Sequence, residues 1–113
     1  MRDLDSEFGL VGINKYLEHI KASYRQLRTG PHPIREEMER EINDALTVSA
    51  GRKYLKVIIG PQSSSHSFIV LVGDNKFKRG DVLMAASWNA PARNFARANL
   101  ADGNYMNISW TGA

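Results

Sequence analysis

The sequence predicts a single α+β domain whose first half is helical and whose second half is a sheet. Two observations support this prediction. Apolar residues recur at helical spacing over residues 10–27, and short consecutive apolar runs bounded by Gly and Pro take over from Lys53. The 113 residues fit one domain with one core, residues 1–113. We expect a helical hairpin (residues 1–50) packed on a mostly antiparallel sheet of three to five strands (residues 51–113).

The predicted hairpin consists of two antiparallel helices joined by a short connection. The first is capped by Asp5 or Ser6 and stops at the Gly-Pro pair at 30–31, and the second begins at His32-Pro33 and ends near residue 50. An apolar seam follows the first helix through Leu10, Ile13, Leu17, Ile20, Tyr24 and Leu27. This seam either packs inside the domain or joins two copies of the chain, and it leads us to predict a homo-oligomer.

The second half alternates strand patterns with turn signals. Strands are predicted at residues 54–59, 68–72, 82–86 and 105–110. The second of these is apolar at every position, which is typical of a strand covered on both faces. Before the last strand, Asn89 caps a short helix predicted over about residues 90–99, with Pro91 in its first turn.

The composition argues against several classes of protein. With no cysteine, disulfides, thiolate catalysis and cysteine-bound zinc are all excluded. No apolar run approaches the roughly 20 residues that cross a bilayer, and the start of the chain is too acidic for a signal peptide, so we expect a cytoplasmic protein. The three histidines lack metal-ligand spacing, and there is no phosphate-binding glycine loop. We therefore predict neither a metal nor a cofactor.

Charge is distributed unevenly along the chain. Residues 1–50 contain seven Lys or Arg against nine Asp or Glu, whereas residues 51–113 contain eight against three. Concentrated basic residues raise the local potential for phosphate-bearing partners. An uneven but merely solubilising charge mixture is the alternative interpretation. The asymmetry directs attention to two polar segments of the second half.

The first of these segments is the serine-rich stretch at 62–67. Its Ser64 and Ser65 hydroxyls are candidate donors to an anion, and His66 is a candidate phosphate donor or proton shuttle. A plain hairpin loop is the alternative, since serine runs are common in turns. Neighbouring Ser and His do not by themselves make a catalytic pair, because the members of a triad meet only through the fold.

The second segment is the predicted short helix with its flanks. Trp88 offers a plane on which a base can stack, and Asn89 lies at a helix start whose free amides attract anions. Arg93 and Arg97 are four residues apart and would share one helical face, with Arg97 contacting a phosphate. The alternative is a capped helix whose Trp88 enters the core and whose arginines are solvated.

Part of the second half resembles a family of small bacteriophage proteins that has no assigned activity. The resemblance lies in residues 66–70, in Gly80-Asp81 with the run Ala85-Ala86-Ser87-Trp88-Asn89-Ala90-Pro91-Ala92, and in Ala96-Arg97-Ala98-Asn99. The family motif has Lys where this chain has Met84 and Asn89, and Gly where it has Ala98. The resemblance implies a phage origin and an accessory role, and the missing lysines weaken any charge-based function carried over from it.

Three functional hypotheses follow from the sequence. The leading one is a non-enzymatic protein that binds a phosphate-bearing ligand, either nucleic acid or a small signalling nucleotide, such as a phage accessory or anti-defence protein. The second is a protein–protein or structural module that self-associates through the seam of the first helix and has no ligand site. The third is a small hydrolase or nuclease that uses His66.

Overall fold

The computed structural model describes residues 3–29, 36–60 and 64–108. Its helices are α1 (Leu4–Phe8), α2 (Ile13–Thr29) and α3 (Glu36–Ala45). Its strands are β1 (Leu46–Ala50), β2 (Tyr54–Ile59), β3 (Ser64–Val70), β4 (Asp81–Met84) and β5 (Ala98–Asn99). The strands lie in the order β1-β2-β3-β4-β5, with every neighbouring pair antiparallel. The predicted α+β fold, with helices first and an antiparallel sheet after them, is confirmed.

The first predicted helix forms as two helices, α1 and α2, which are separated by a turn at residues 9–12. The predicted cap at Asp5 or Ser6 is wrong, because both residues lie inside α1 and Asp3 caps it, accepting from the Ser6 amide at 3.3 Å. The carboxylate of Asp5 instead accepts hydrogen bonds from the amides of Gly12 at 3.0 Å and Asn14 at 2.8 Å, at the start of α2. The predicted stop at 30–31 and second start at His32-Pro33 lie outside the described residues. No helix in the described ranges is long and apolar enough to cross a membrane.

One face of the sheet, called here the helix face, packs against α2. Alternate residues of β2 and β3 point to this face, among them Leu55 and Ile69, and both are fully buried. From α2 they meet Ile13, Tyr16 and Ile20, which are also fully buried. The apolar seam of the first helix is therefore used inside the chain. The predicted homo-oligomer remains a prediction, but this seam is not free to form its interface.

The other face, called here the loop face, is covered by connecting segments rather than by a helix. Phe68 and Val70 of β3 and Leu83 of β4 are buried in a second apolar cluster. Phe77 from the β3–β4 connection and Ala96 from the β4–β5 connection pack against them. Both faces of β3 are thus covered, which confirms the expectation drawn from its unbroken apolar run.

Three local predictions are wrong. Residues 46–50, assigned to the end of the second helix, form β1, because their Thr and Val side chains pair with the apolar strand β2. The helix predicted over about 90–99 does not form: the amides of Ala92 and Arg97 bond instead to the carbonyls of Met84 and Val82, on the side of β4 away from β3. Residues 105–108 turn rather than form a strand, and 109–110 lie outside the described residues.

Candidate functional site

The fold brings the two predicted segments together on the loop face. The hydroxyl of Ser65 donates to the carbonyl oxygen of Trp88 at 2.7 Å. The ammonium of Lys56, on the adjacent strand β2, lies 3.9 Å from the centre of the Trp88 ring and donates to Asn89 Oδ1 at 3.0 Å. We call Lys56, Ser64, Ser65, Trp88 and Asn89 the Trp88 surface.

Two hollows flank the Trp88 surface. One, of about 460 Å³, is lined by Ser64, Ser65 and residues 85–88. The other, of about 220 Å³, lies beside Lys56 and Asn89 and is bordered by the β1–β2 turn with Arg52 and Lys53. Trp88 remains 45% exposed between them, although Lys56 covers part of its ring. Hydroxyl donors, an aromatic plane and cations therefore line one continuous stretch of surface.

The carboxylate of Asp74 forms ion pairs with two of the nearby cations. The ammonium of Lys53 lies 2.5 Å and the Arg93 guanidinium 2.7 Å from Asp74 Oδ2, and the amides of Lys76 and Phe77 donate to Oδ1 at 2.9 Å. The Lys53 ammonium, then the Phe77 amide and Arg93, hold the pKa of Asp74 well below its usual range. Asp74 therefore remains ionised throughout the neutral and mildly acidic range.

The two predicted arginines have different environments. Arg93 donates to Asp74 and to the Tyr54 hydroxyl, so its charge is already paired with a carboxylate. Arg97 is exposed, lies over the ring of Phe95 at 4.5 Å and donates to the sulfur of Met84 at 3.3 Å. In the described part of the chain no carboxylate pairs with it. Because the helix does not form, the pair shares no helical face.

His66 is placed away from the Trp88 surface. The β2–β3 register shifts at this point, with Val57 opposite Ser67 and Ile58 opposite Ser65, so that His66 is the extra residue of a β-bulge. The bulge directs His66 into the interior, where it is 3% exposed. His66 is therefore not among the predicted residues that the fold brings to the Trp88 surface.

A buried polar chain links His66 to α2. His66 Nδ1 and Ser67 Oγ are 2.9 Å apart, and the same hydroxyl lies 2.7 Å from the hydroxyl of Tyr16. Burial raises the pKa of Tyr16, an effect that its hydrogen bond with Ser67 only partly offsets. This chain joins the sheet to the helix through hydrogen bonds, and in the described ranges no cluster of His, Asp or Glu is arranged to hold a metal ion.

The ends of the motif that carries the bacteriophage resemblance meet at strands β4 and β5. Asp81 pairs with Asn99 in the register, and its Oδ1 accepts from Asn99 Nδ2 at 2.8 Å. The amide of Lys78 donates to its other oxygen at 3.0 Å. Both side chains are buried, so these motif residues hold the β4–β5 connection in place and leave the Trp88 segment between them exposed.

Lys56 is the residue of this surface that the sequence-based site omitted. It sits in the run Tyr54–Ile59, between the fully buried Leu55 and Val57. A lysine within such a run indicates by alternation a strand face that is not fully buried. The sequence therefore indicates that Lys56 is not fully buried, but it does not predict the contact with Trp88. Trp88 is 32 residues away and is brought to Lys56 by the β4–β5 connection.

A family model described as a family of unknown function (DUF7717) matches residues 10–113. Since the match covers most of the 113 residues, the chain belongs to this family. No curated protein and no solved structure matches the chain.

Proposed function

We propose that this DUF7717 member is a non-enzymatic protein that binds a phosphate-bearing ligand at the Trp88 surface, with a nucleobase on Trp88 and a phosphate on Lys56. The observation that carries the proposal is the position of the Lys56 ammonium, 3.9 Å from the centre of the ring of Trp88, a residue that is still 45% exposed. An aromatic plane next to a cation is the usual arrangement by which proteins hold nucleotides without reading their sequence.

The charge balance of this surface supports an anionic ligand. The cations in and beside it are Arg52, Lys53, Lys56 and Arg93. Asp74 is the carboxylate among them, and it is already shared by Lys53 and Arg93. The contacts of Lys56 and Arg52 in the described part of the chain include no carboxylate. Positive charge is therefore left over for a phosphate, for which a lysine ammonium is a common partner.

Polar donors that do not titrate near neutral pH complete the surface. Ser64 is exposed at the beginning of β3, and Ser65 is positioned by its hydrogen bond to the Trp88 carbonyl. These hydroxyls border the hollow of about 460 Å³ that also reaches Trp88. Binding rather than catalysis is supported by the position of His66, the proposed base of a hydrolase, which is buried away from this surface.

Calorimetric titration of the wild-type protein tests this proposal. The panel comprises single-stranded oligonucleotides, mononucleotides and cyclic dinucleotides, each at low and at physiological salt. Affinity that falls steeply with salt identifies nucleic acid as the ligand, whereas weak salt dependence identifies a small nucleotide. Absence of binding to every member of the panel would overturn the proposal.

Two substitutions locate the site. Lys56→Gln removes a charge-assisted phosphate contact and Trp88→Ala a stacking plane, so each should weaken binding about ten- to a hundredfold. Lys15→Gln makes the same charge change at an exposed position of α2, the helix that packs on the helix face, and should leave the affinity within about twofold of wild type. Equal losses for Lys56→Gln and Lys15→Gln would show that net charge, not this site, determines binding.

A further inference from the structure

We infer that the chain forms a twofold-symmetric dimer by antiparallel pairing of β1 with β1 of a second copy. In the sheet order β1-β2-β3-β4-β5, β1 is an edge strand with β2 on one side only. Residues 46–50 contain no lysine, proline or bulge, which are the devices that usually protect an exposed edge from another strand. This surface is separate from the Trp88 surface and does not depend on the proposed ligand.

The hydrogen bonds of β1 define which residues face the open edge. The amide of Gly51 bonds to the carbonyl of Tyr54 at 2.9 Å, and that of Gly60 to Ala45 at 2.8 Å. Since antiparallel ladders alternate, the intervening groups that point toward β2 belong to Thr47 and Ser49. The N–H and C=O groups of the other three residues point outward, namely those of Leu46, Val48 and Ala50. In the described ranges no group of the chain pairs with them.

This alternation selects one register for the dimer. A twofold axis beside Val48 places Val48 opposite its copy and Leu46 opposite Ala50 of the second copy. All three outward-facing residues then pair, which forms six backbone hydrogen bonds and one continuous ten-stranded sheet. A register centred on any other residue leaves at least one of the three outward-facing residues without a partner.

Self-complementarity of the edge points to a second copy as the partner. In the register centred on Val48, Leu46, Val48 and Ala50 of each copy face the same three residues of the other, and none of them is charged. A twofold axis makes an edge of this kind self-complementary.

An apolar hollow beside the same edge supports the pairing. It measures about 630 Å³, and Leu17, Leu46 and Val48 line its apolar part. A second copy seated along β1 would bring its own Val48 to the same side of the sheet. The dimer therefore adds side-chain burial on the helix face to the six backbone hydrogen bonds.

Sedimentation velocity over a range of protein concentrations measures the dimer. Val48→Pro removes an amide that points away from β2, so the monomer keeps its ladder while the dimer loses its central bonds. Val48→Ala trims the side chain but retains the amide and is the matched control. We expect wild type and Val48→Ala to dimerise and Val48→Pro to remain a monomer. A wild-type protein that is still monomeric at about 100 µM would overturn the inference.

Hydrogen exchange supplies an internal control within one strand. The amides of Leu46, Val48 and Ala50 should exchange more slowly as the protein concentration rises. The amides of Thr47 and Ser49 bond to β2 in monomer and dimer alike, so their protection should not change. Concentration-independent exchange at all five positions, in a protein that sediments as a dimer, would place the interface elsewhere and overturn the inference.

Discussion

The two faces of the sheet hold their polar groups in opposite ways. On the helix face, Tyr16, Ser67 and His66 form a buried chain joined by hydrogen bonds of 2.7 and 2.9 Å. On the loop face, Asp74 draws Lys53 and Arg93 into an exposed ionic cluster, and Lys56 lies over Trp88. A buried polar chain mainly contributes to stability and specificity, whereas exposed cations remain available to a partner. The helix face is thus joined by buried hydrogen bonds, and the proposed ligand site lies on the loop face.

A single β-bulge separates these roles along β3. Ser65 points to the Trp88 side, whereas His66 and Ser67, the next two residues, both reach the helix side. Regular alternation would have placed His66 and Ser67 on opposite faces. Residues that are adjacent in sequence therefore belong to different parts of the protein, and the serine-rich segment is not one functional unit.

The largest effect is expected from a charge placed inside either core. Val70 is fully buried on the loop face, so Val70→Asp should abolish folding, because an unpaired buried charge costs several kcal/mol. Val72→Asp is the matched control: Val72 is 56% exposed, and its replacement should change the unfolding free energy by less than about 0.5 kcal/mol. Thermal melts followed by circular dichroism compare the two. A folded Val70→Asp protein would show that the loop face is not a true core.

A smaller effect is expected from breaking the buried polar chain. Ser67→Ala removes the hydroxyl that joins Tyr16 to His66 and should lower the unfolding free energy by about 1–3 kcal/mol, since buried partners lose their hydrogen bonds. Ser64→Ala, at an exposed position of the same strand, should be nearly neutral. Urea unfolding measures both. Equal unfolding free energies for the two variants would show that the buried polar chain does not stabilise the helix face.

The smallest effect is expected at Asp74, and it depends on pH. Because the pKa of Asp74 is lowered in the folded state, the stability it contributes is present above about pH 4 and is lost as the pH falls through the folded value. Wild type should therefore lose more stability than Asp74→Asn between pH 6 and pH 2.5, as urea unfolding at the two pH values would measure. The opposite ranking would mean that Lys53 and Arg93 do not stabilise the carboxylate.

The Asp74→Asn variant also tests the proposed ligand site. Asp74→Asn releases Lys53 and Arg93 from their carboxylate and makes the loop face more positive. Binding of an anionic ligand at the Trp88 surface should tighten by about threefold at low salt, and the gain should shrink at high salt. Calorimetry of Asp74→Asn beside wild type measures this change. Weaker binding would indicate that the cluster positions the site rather than competing with its ligand.

Elements whose apolar pattern repeats over many residues could be predicted from the amino-acid sequence. The seam from Ile13 to Ile20 predicted a helix with one apolar face. The unbroken run 68–72 predicted a strand covered on both sides, which holds for residues 68–70, whereas Val72 lies beyond the end of β3 and is 56% exposed. In each case the pattern is local in the sequence, and the tertiary structure supplies the apolar surface against which the element packs.

Elements whose backbone hydrogen bonds go to partners distant in the chain could not be predicted, because they depend on the tertiary structure. Residues 46–50 form a strand because they pair with β2. The segment after Asn89 is not helical because its amides bond to carbonyls of β4. The site has the same origin. Lys56 lies on β2 and Trp88 on the β4–β5 connection, and the bulge that places His66 in the interior depends on the pairing of β2 with β3. Local propensities differ by only about 1 kcal/mol per residue, so a ladder of long-range hydrogen bonds and buried side chains overrides them.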